Sequence, residues 1–287
     1  MVYVTLSNDY GTIEMDNDWR LKRWGILEIT GLGYPNKTAS TVTYAGQDGQ
    51  SFTGEVMTAR TITISANICN DGNLQNTISN ACRILNHLVT LRIESGLMRR
   101  QISCRCNAFT CDPPNGAYQH IVLQLIADKP AFEDYDSTEI NIFRRVDLIS
   151  TPFILPMEFT HRYTDAHIYN SGDNRAEPIF YISNSPVDGI ALLDDEIGIL
   201  ITNETTGQHI KLDTTTQDGE IITVDIPHRK ITSSTRGNII NTMSLDTFLD
   251  DFWLDIGDNR IVVTNYNTTE QISVVCTYKN QYIEAVV

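Results

Sequence analysis

The sequence predicts a mainly β chain in two domains, the second of them a β-sandwich. Three observations lead there. Short segments alternating apolar and polar residues, bounded by Gly, Pro, Asn and Asp clusters, recur along the chain. Only one stretch has a convincing helical period. The length, 287 residues, fits about two domains of ordinary size. Hydrophobic residues at 41% and charged residues at 20% are ordinary for a folded chain.

The elements follow in order. Trp24–Thr30 reads as a strand running into the turn cluster Gly31-Leu32-Gly33-Tyr34-Pro35. Thr41–Tyr44 and Phe52–Met57 flank Gly46, Gln47, Asp48 and Gly49, which predicts a hairpin with a polar tip. Thr61–Ile68 alternates, with Ile62, Ile64, Ala66 and Ile68 on one face. The helix is expected over 73–88, with Leu74, Ile78, Ala81, Cys82, Leu85 and Leu88 as its apolar stripe. Asp71 or Asn73 can cap its start, and His87 sits where a helix end favours a cation. The strands Thr90–Glu94 and Leu97–Arg105 turn at Ser95-Gly96, and Gln119–Ala127 follows the cluster Asp112–Gly116.

Residues 133–152 carry little periodicity, which places a domain boundary there, with domains at 1–136 and 137–287. Beyond it come about nine short strands: Phe153–Phe159, His167–Asn170, Pro178–Ile182, Ile197–Thr202, His209–Leu212, Glu220–Ile226, Phe252–Asp255, Arg260–Thr264 and Gln271–Tyr278. That spacing suggests a sandwich, with one short helical turn within Met243–Phe252.

Composition narrows the function. Net charge is −15, which disfavours a surface built to neutralise phosphates. Residues 1–138 hold 11 basic and 14 acidic residues, and residues 139–287 hold 10 and 22, so the two halves present different surfaces. No apolar run reaches the roughly 18 residues of a membrane helix. No basic and apolar leader is visible at the start, so synthesis in the cytoplasm is expected. The cysteines at 104, 106 and 111 lack paired metal-ligand spacing, and Ile102, Cys104, Cys106 and Ala108 fall on one strand face. Core packing is the plainer reading beside a metal or disulfide one. His161 and His167 form the closest histidine pair, without a metal motif. The acidic clusters at 194–196 and 250–251 read as solvated turns, and the Asn-x-Thr sites at Asn36, Asn203 and Asn267 carry little weight without secretion. No nucleophile elbow, phosphate loop or dinucleotide fingerprint occurs, so neither catalytic residues nor a cofactor are expected.

Several segments carry a resemblance. LITNETTGQHIKL (200–212), GEIITVDIPHRKI (219–231) and LDIGDNRIVV (254–263) follow one another as strand, turn and strand. Asn170-Ser171-Gly172-Asp173 precedes Pro178–Ile182, and LQLIADKPAFED (123–134) closes the first half. Arg60, the strand to Ile68, the helix and LRIESG come in the same order. In this order the chain resembles the distal tail proteins (Dit) of tailed phages.

The resemblance implies a first domain that is a β-sandwich or split barrel with one helix and a projecting hairpin, and a second that is a galectin-like β-sandwich. It implies a hexameric ring in the virion tail, with the second domain on its outside. The ring would join the tail tube to the tail-associated hub or lysin and anchor receptor-binding proteins, while DNA passes through without specific binding. The hairpin tip Gly46, Gln47, Asp48 and Gly49 is the candidate for reaching a neighbouring subunit, against a plain surface hairpin. An acidic bore that repels DNA is a further expectation. The alternative is a protein that binds cell-wall sugars through the second domain. There Trp253, Tyr163 and Tyr169 are candidate stacking rings, against core or edge aromatics.

Overall fold

The computed structural model describes residues 1–18, 23–46, 48–147, 160–163, 165–186, 198–266 and 270–285. It divides into two units, Met1–Tyr135 with Gln281–Val287, and Asp136–Asn280.

The first unit contains β1 (Val2–Asn8), β2 (Gly11–Asp16), β3 (Trp24–Thr30), β4 (Lys37–Val42), β5 (Ser51–Met57), β6 (Arg60–Cys69), α1 (Leu74–Leu85), β7 (Val89–Ser95), β8 (Met98–Cys111), β9 (Tyr118–Ala127) and β10 (Phe132–Glu133). Seven strands run in the order β8-β7-β1-β2-β3-β6-β9, and β9 returns to β8. The sheet therefore closes into a barrel, which removes its free edges. Its joints are antiparallel except β2–β3, a parallel seam of two residue pairs. Period-2 alternation fills the barrel. Ile62, Ile64, Ala66 and Ile68 face inward from β6, and Ile121, Leu123, Leu125 and Ala127 from β9. The hairpin β1–β2 adds Val4, Leu6, Ile13 and Met15, although the opening residues gave no strand prediction.

Several expectations need correction. The helix is shorter than 73–88 and buries Ala81, Ile84 and Leu85, while Cys82 and Leu88 are exposed. Ile84, not Leu88, completes the stripe, because Leu88 lies beyond the last helical turn. Asn73 holds the N-cap position without a side-chain bond, and Asp71 Oδ1 accepts its N–H at 3.1 Å. His87 stacks on Tyr10, with ring centroids 3.9 Å apart. The Asn8 amide instead donates to the Ile84 and Leu88 carbonyls at the helix end, at 2.8 and 3.2 Å. The first arm of the polar-tipped hairpin is Lys37–Val42, not Thr41–Tyr44. Finally, residues 281–287, assigned by sequence to the second domain, lie with the first unit. Tyr282 pairs with Phe132, and the buried Ala285 donates its N–H to Leu32 at 2.9 Å.

The second unit contains β11 (Thr138–Asp147), β12 (Thr160–Tyr163), β13 (Asp165–Asn170), β14 (Ile179–Pro186), β15 (Ile199–Asn203), β16 (Gln208–Leu212), β17 (Ile221–Asp225), β18 (Lys230–Ser233), β19 (Gly237–Asn238), β20 (Gly257–Asn265) and β21 (Glu270–Tyr278). One sheet runs β12-β11-β21-β14-β17-β18-β19 and the other β13-β20-β15-β16. They share one core. Phe180, Ile182, Val224, Val274 and Cys276 come from the first sheet, and Ile168, Ile201, Ile210, Ile261 and Val263 from the second. This is a β-sandwich. Residues 252–255 contribute a single bridge, Ala176 to Leu254, instead of the expected strand. The helical turns near them are Ile240–Thr242 and Leu249–Asp251. The expected strand Phe153–Phe159 and the acidic cluster 194–196 lie outside the described residues.

Candidate functional site

Among the described residues the strands β4 and β5 pair only with each other, a two-stranded arm outside the barrel sheet. Its register runs from Lys37↔Met57 to Val42↔Ser51, with a bulge that leaves Thr53 unpaired. Lys37 and Glu55 form an ion pair near the base, and Thr58 donates its N–H to the Asn36 carbonyl at 2.9 Å. An isolated two-stranded hairpin is marginal in water. This one also exposes large apolar side chains: Phe52 is 63% exposed and Val56 65%, and Val42 and Tyr44 are exposed beside them. At the tip, Gly46 and Gly49 adopt φ of +83° and +85°, which glycine tolerates best, and Asp48 is exposed. Gln47 lies outside the described residues.

The segment leading into the arm crosses β6 closely. Gly31 has φ +86°, and a Cβ there would stand 2.1 Å from the Thr61 carbonyl oxygen. Only glycine fits this crossing. Beside it the buried Arg60 donates from Nε to the Pro130 carbonyl at 2.7 Å and from Nη1 to the Gly31 carbonyl at 2.8 Å. It also reaches the Gly33 and Ile283 carbonyls, and its guanidinium lies 4.6 Å from the Phe132 ring centroid. Burial lowers its pKa, and four neutral dipoles take the place of a counterion. One side chain therefore ties the arm root, the end of β9 and the C-terminal segment together. Sequence reading used Arg60 only as a landmark. The available signal was a single cation opening an otherwise apolar alternation.

The motif residues of the second unit serve the fold in a similar way. Buried Asn203 donates to the Trp253 carbonyl at 2.9 Å and to Asn259 Oδ1 at 3.2 Å, and its own Oδ1 accepts the Thr205 N–H at 3.1 Å. Asn259 donates to the Asp255 and Gly257 carbonyls, and Asn170 holds its turn through the Gly172 N–H. Buried Glu220 accepts from Arg236, Ser233, Thr235 and the Gln217 N–H. Burial pushes its carboxyl up, but these donors outweigh that and hold its pKa down at about 2.

The remaining candidates fall in different surroundings. Cys104 and Cys276 are buried, and burial pushes the Cys104 thiol up to about 12. The bulge between Cys106 and Ala108 breaks the expected one-face alternation. No cluster of three metal-ligating side chains occurs among the described residues. His167 pairs with Asp258 at 2.8 Å, while the His161 and Tyr163 side chains lie outside the described residues. Trp253 is half-buried with the Arg175 guanidinium 4.7 Å from its ring, whereas Tyr169 is 64% exposed.

The distinctive buried polar residues of both all-β units brace turns and the segment that leads into the arm. Residues 185–282 match the family described as "Siphovirus-type tail component, C-terminal domain". Three solved structures share the fold across almost the whole chain. SPP1 Dit (gp 19.1), described as a paradigm of the hub adsorption apparatus in phages infecting Gram-positive bacteria, has a TM-score of 0.65 at 13% identity, covering 97% of this chain and 98% of that one. The phage P2 baseplate in its Ca-activated conformation gives 0.54 at 9%, covering 99% and 100%. The same baseplate with Sr gives 0.50 at 10%, covering 96% and 98%. A comparison with curated proteins finds no match. The chain thus resembles siphovirus tail components over residues 185–282 and shares the SPP1 Dit fold over nearly its whole length. Among the described residues no helix is long and apolar enough to cross a membrane.

Proposed function

We propose that six copies of this chain form a closed ring through the first unit. The ring joins the tail tube to the tail-associated hub or lysin and anchors receptor-binding or other baseplate proteins. It acts by docking, without bond-making chemistry, and DNA passes through its bore without specific binding. The arm carries this reading. Among the described residues its apolar side chains Val42, Tyr44, Phe52 and Val56 stay exposed. A head-to-tail contact repeated around a symmetry axis covers such a surface in every copy. The hydrophobic return is substantial, because covering Phe52 and Val56 contributes about 1.5–3 kcal/mol each.

Deleting residues 45–50 shortens the tip without touching the barrel. The shortened protein is expected to melt like the full chain and to lose the ring mass by light scattering. Phe52→Ser with Val56→Ser is expected to do the same with the tip intact. An unchanged ring mass in both variants rejects the arm as the ring contact.

A further inference from the structure

Three side chains on the outer face of the barrel form a linked row. Alternation turns Thr63, Ser65 and Asn67 outward on β6, and His120 and Val122 outward on β9, because their neighbours Ile64, Ala66, Ile121 and Leu123 fill the core. The register sets His120 opposite Asn67 and Val122 opposite Ser65, so Ser65 and His120 are diagonal neighbours. Ser65 Oγ lies 2.9 Å from His120 Nε2, and His120 Nδ1 lies 2.8 Å from Asp112 Oδ2. Ser65 and His120 are half-buried. Asp112 is held from both sides. Its N–H donates to the His120 carbonyl at 3.0 Å, and its carbonyl accepts from Gln119 Nε2 at 2.7 Å. The linked pairs stand 55 and 8 positions apart in the chain, so no motif spacing announces them.

The chemistry of the three groups fixes the direction of the protons. A carboxylate only accepts, so Nδ1 of a neutral His120 carries the proton and donates to Asp112. Nε2 is then the nitrogen with the lone pair, and the Ser65 hydroxyl donates to it. A hydroxyl bonded to a base that a third group orients is the arrangement of an activated nucleophile.

A separate feature offers room for a reactant. A cleft of about 160 Å³ opens on the same face, lined by Arg23, Gly25, Leu27, Asn67, Cys69 and Tyr118. Cavities for drug-sized ligands start near about 300 Å³, so this one suits a small molecule. Asn67 stands two residues from Ser65 on the same face of β6, about 6.6 Å along the strand. Its amide has no hydrogen-bond partner among the described residues and is free to donate to charge developing on a carbonyl oxygen.

We infer that Ser65 is a nucleophilic hydroxyl, activated by His120 and oriented through Asp112, that accepts the acyl group of a small activated ester seated beside Asn67. Ser65 Oγ bonds the ester carbonyl carbon as its proton passes to His120 Nε2. The bond from that carbon to the leaving oxygen breaks, and the proton moves from Nε2 to the departing oxygen. The products are an acyl-serine and an alcohol or phenol. The acyl-serine is an ordinary alkyl ester with a poorer leaving group than a phenol ester, so it accumulates. The ring joins its partners by docking alone and makes no use of this relay, none of whose residues belongs to the arm.

p-Nitrophenyl acetate added to the full chain tests it, with phenol release followed by absorbance and the acetyl group located by peptide mass spectrometry. A burst of about one phenol per chain and an acetyl group on Ser65 are expected. Ser65→Ala is expected to abolish the burst, and His120→Gln to slow it at least about a hundred-fold, with melting temperature unchanged. Asp112→Asn no longer fixes the tautomer and is expected to slow it at least about ten-fold. Thr63→Ala changes the next outward residue of β6 and is expected to leave the burst unchanged. Acetyl groups on lysines with Ser65 unmodified overturn the inference. A Ser65 acetylation rate in His120→Gln within about ten-fold of the parent, or loss of the burst in Thr63→Ala, overturns the relay.

Discussion

Replacing Arg60 with methionine removes the tie at the arm root while keeping an unbranched side chain over Phe132. Four backbone carbonyls lose a charged donor: Pro130, Gly31, Gly33 and Ile283. A hydrogen bond to a charged group contributes about 1.5–3 kcal/mol net. The four cannot simply be added. Pro130, Gly33 and Ile283 are only partly buried and Gly31 is exposed, so some of their carbonyls regain water. The variant also no longer desolvates a cation. Counting two of the four bonds as lost gives about 3–6 kcal/mol. For a unit of this size that is roughly 10–20 °C in melting temperature. Arg60→Lys keeps a compact charge that reaches only some of the acceptors, and is expected to lose about half as much. Urea unfolding of both variants, followed by circular dichroism, measures the effect. A loss under about 1 kcal/mol for Arg60→Met, with an unchanged denaturant slope, refutes the reasoning.

Two further outcomes are expected. Gly31→Ala and Gly49→Ala both place a side chain at φ near +85°, but only the first drives its Cβ against a backbone oxygen, that of Thr61. Gly49→Ala should cost about 1 kcal/mol and Gly31→Ala at least about 3 in urea unfolding, whereas equal costs contradict the close-crossing account. Glu220 has a folded pKa of about 2, below its ordinary 4.5, so the unfolded chain takes up the proton first as pH falls. Its contribution is complete above about pH 4.5 and is lost between there and pH 2, amounting to about 3 kcal/mol. Glu220→Gln should remove that part of the acid dependence, and a parent and variant with parallel stability profiles over this range exclude it.

Much of the fold was legible because its signals were local. The alternation of Thr61–Ile68 and Gln119–Ala127 reports one buried face directly, and β6 and β9 follow it closely. The helix was legible in kind but not in extent, since Leu88 and Cys82 fit the period as well as Ile84 does. What lies apart in sequence was hidden. Nothing in residues 281–285 announces pairing with Phe132, and nothing near Arg60 names acceptors 27 to 223 positions away. The hairpin was readable from its glycine-rich tip. Its exposed flanks were not, because Phe52 and Val56 alternate like core residues. Asn203 shows the reverse case: as a sequon it carried no weight, yet its amide bridges Trp253 and Asn259. Turn residues carried the family resemblance because turns hold buried polar groups that must be paired.

The most direct test of the architectural account is the mass of the purified chain in solution, by native mass spectrometry, with class averages from negative-stain images. Six copies of a 32.3 kDa chain predict one dominant species of about 194 kDa and closed rings. A monomer at every concentration up to those used for imaging, with no rings, contradicts it.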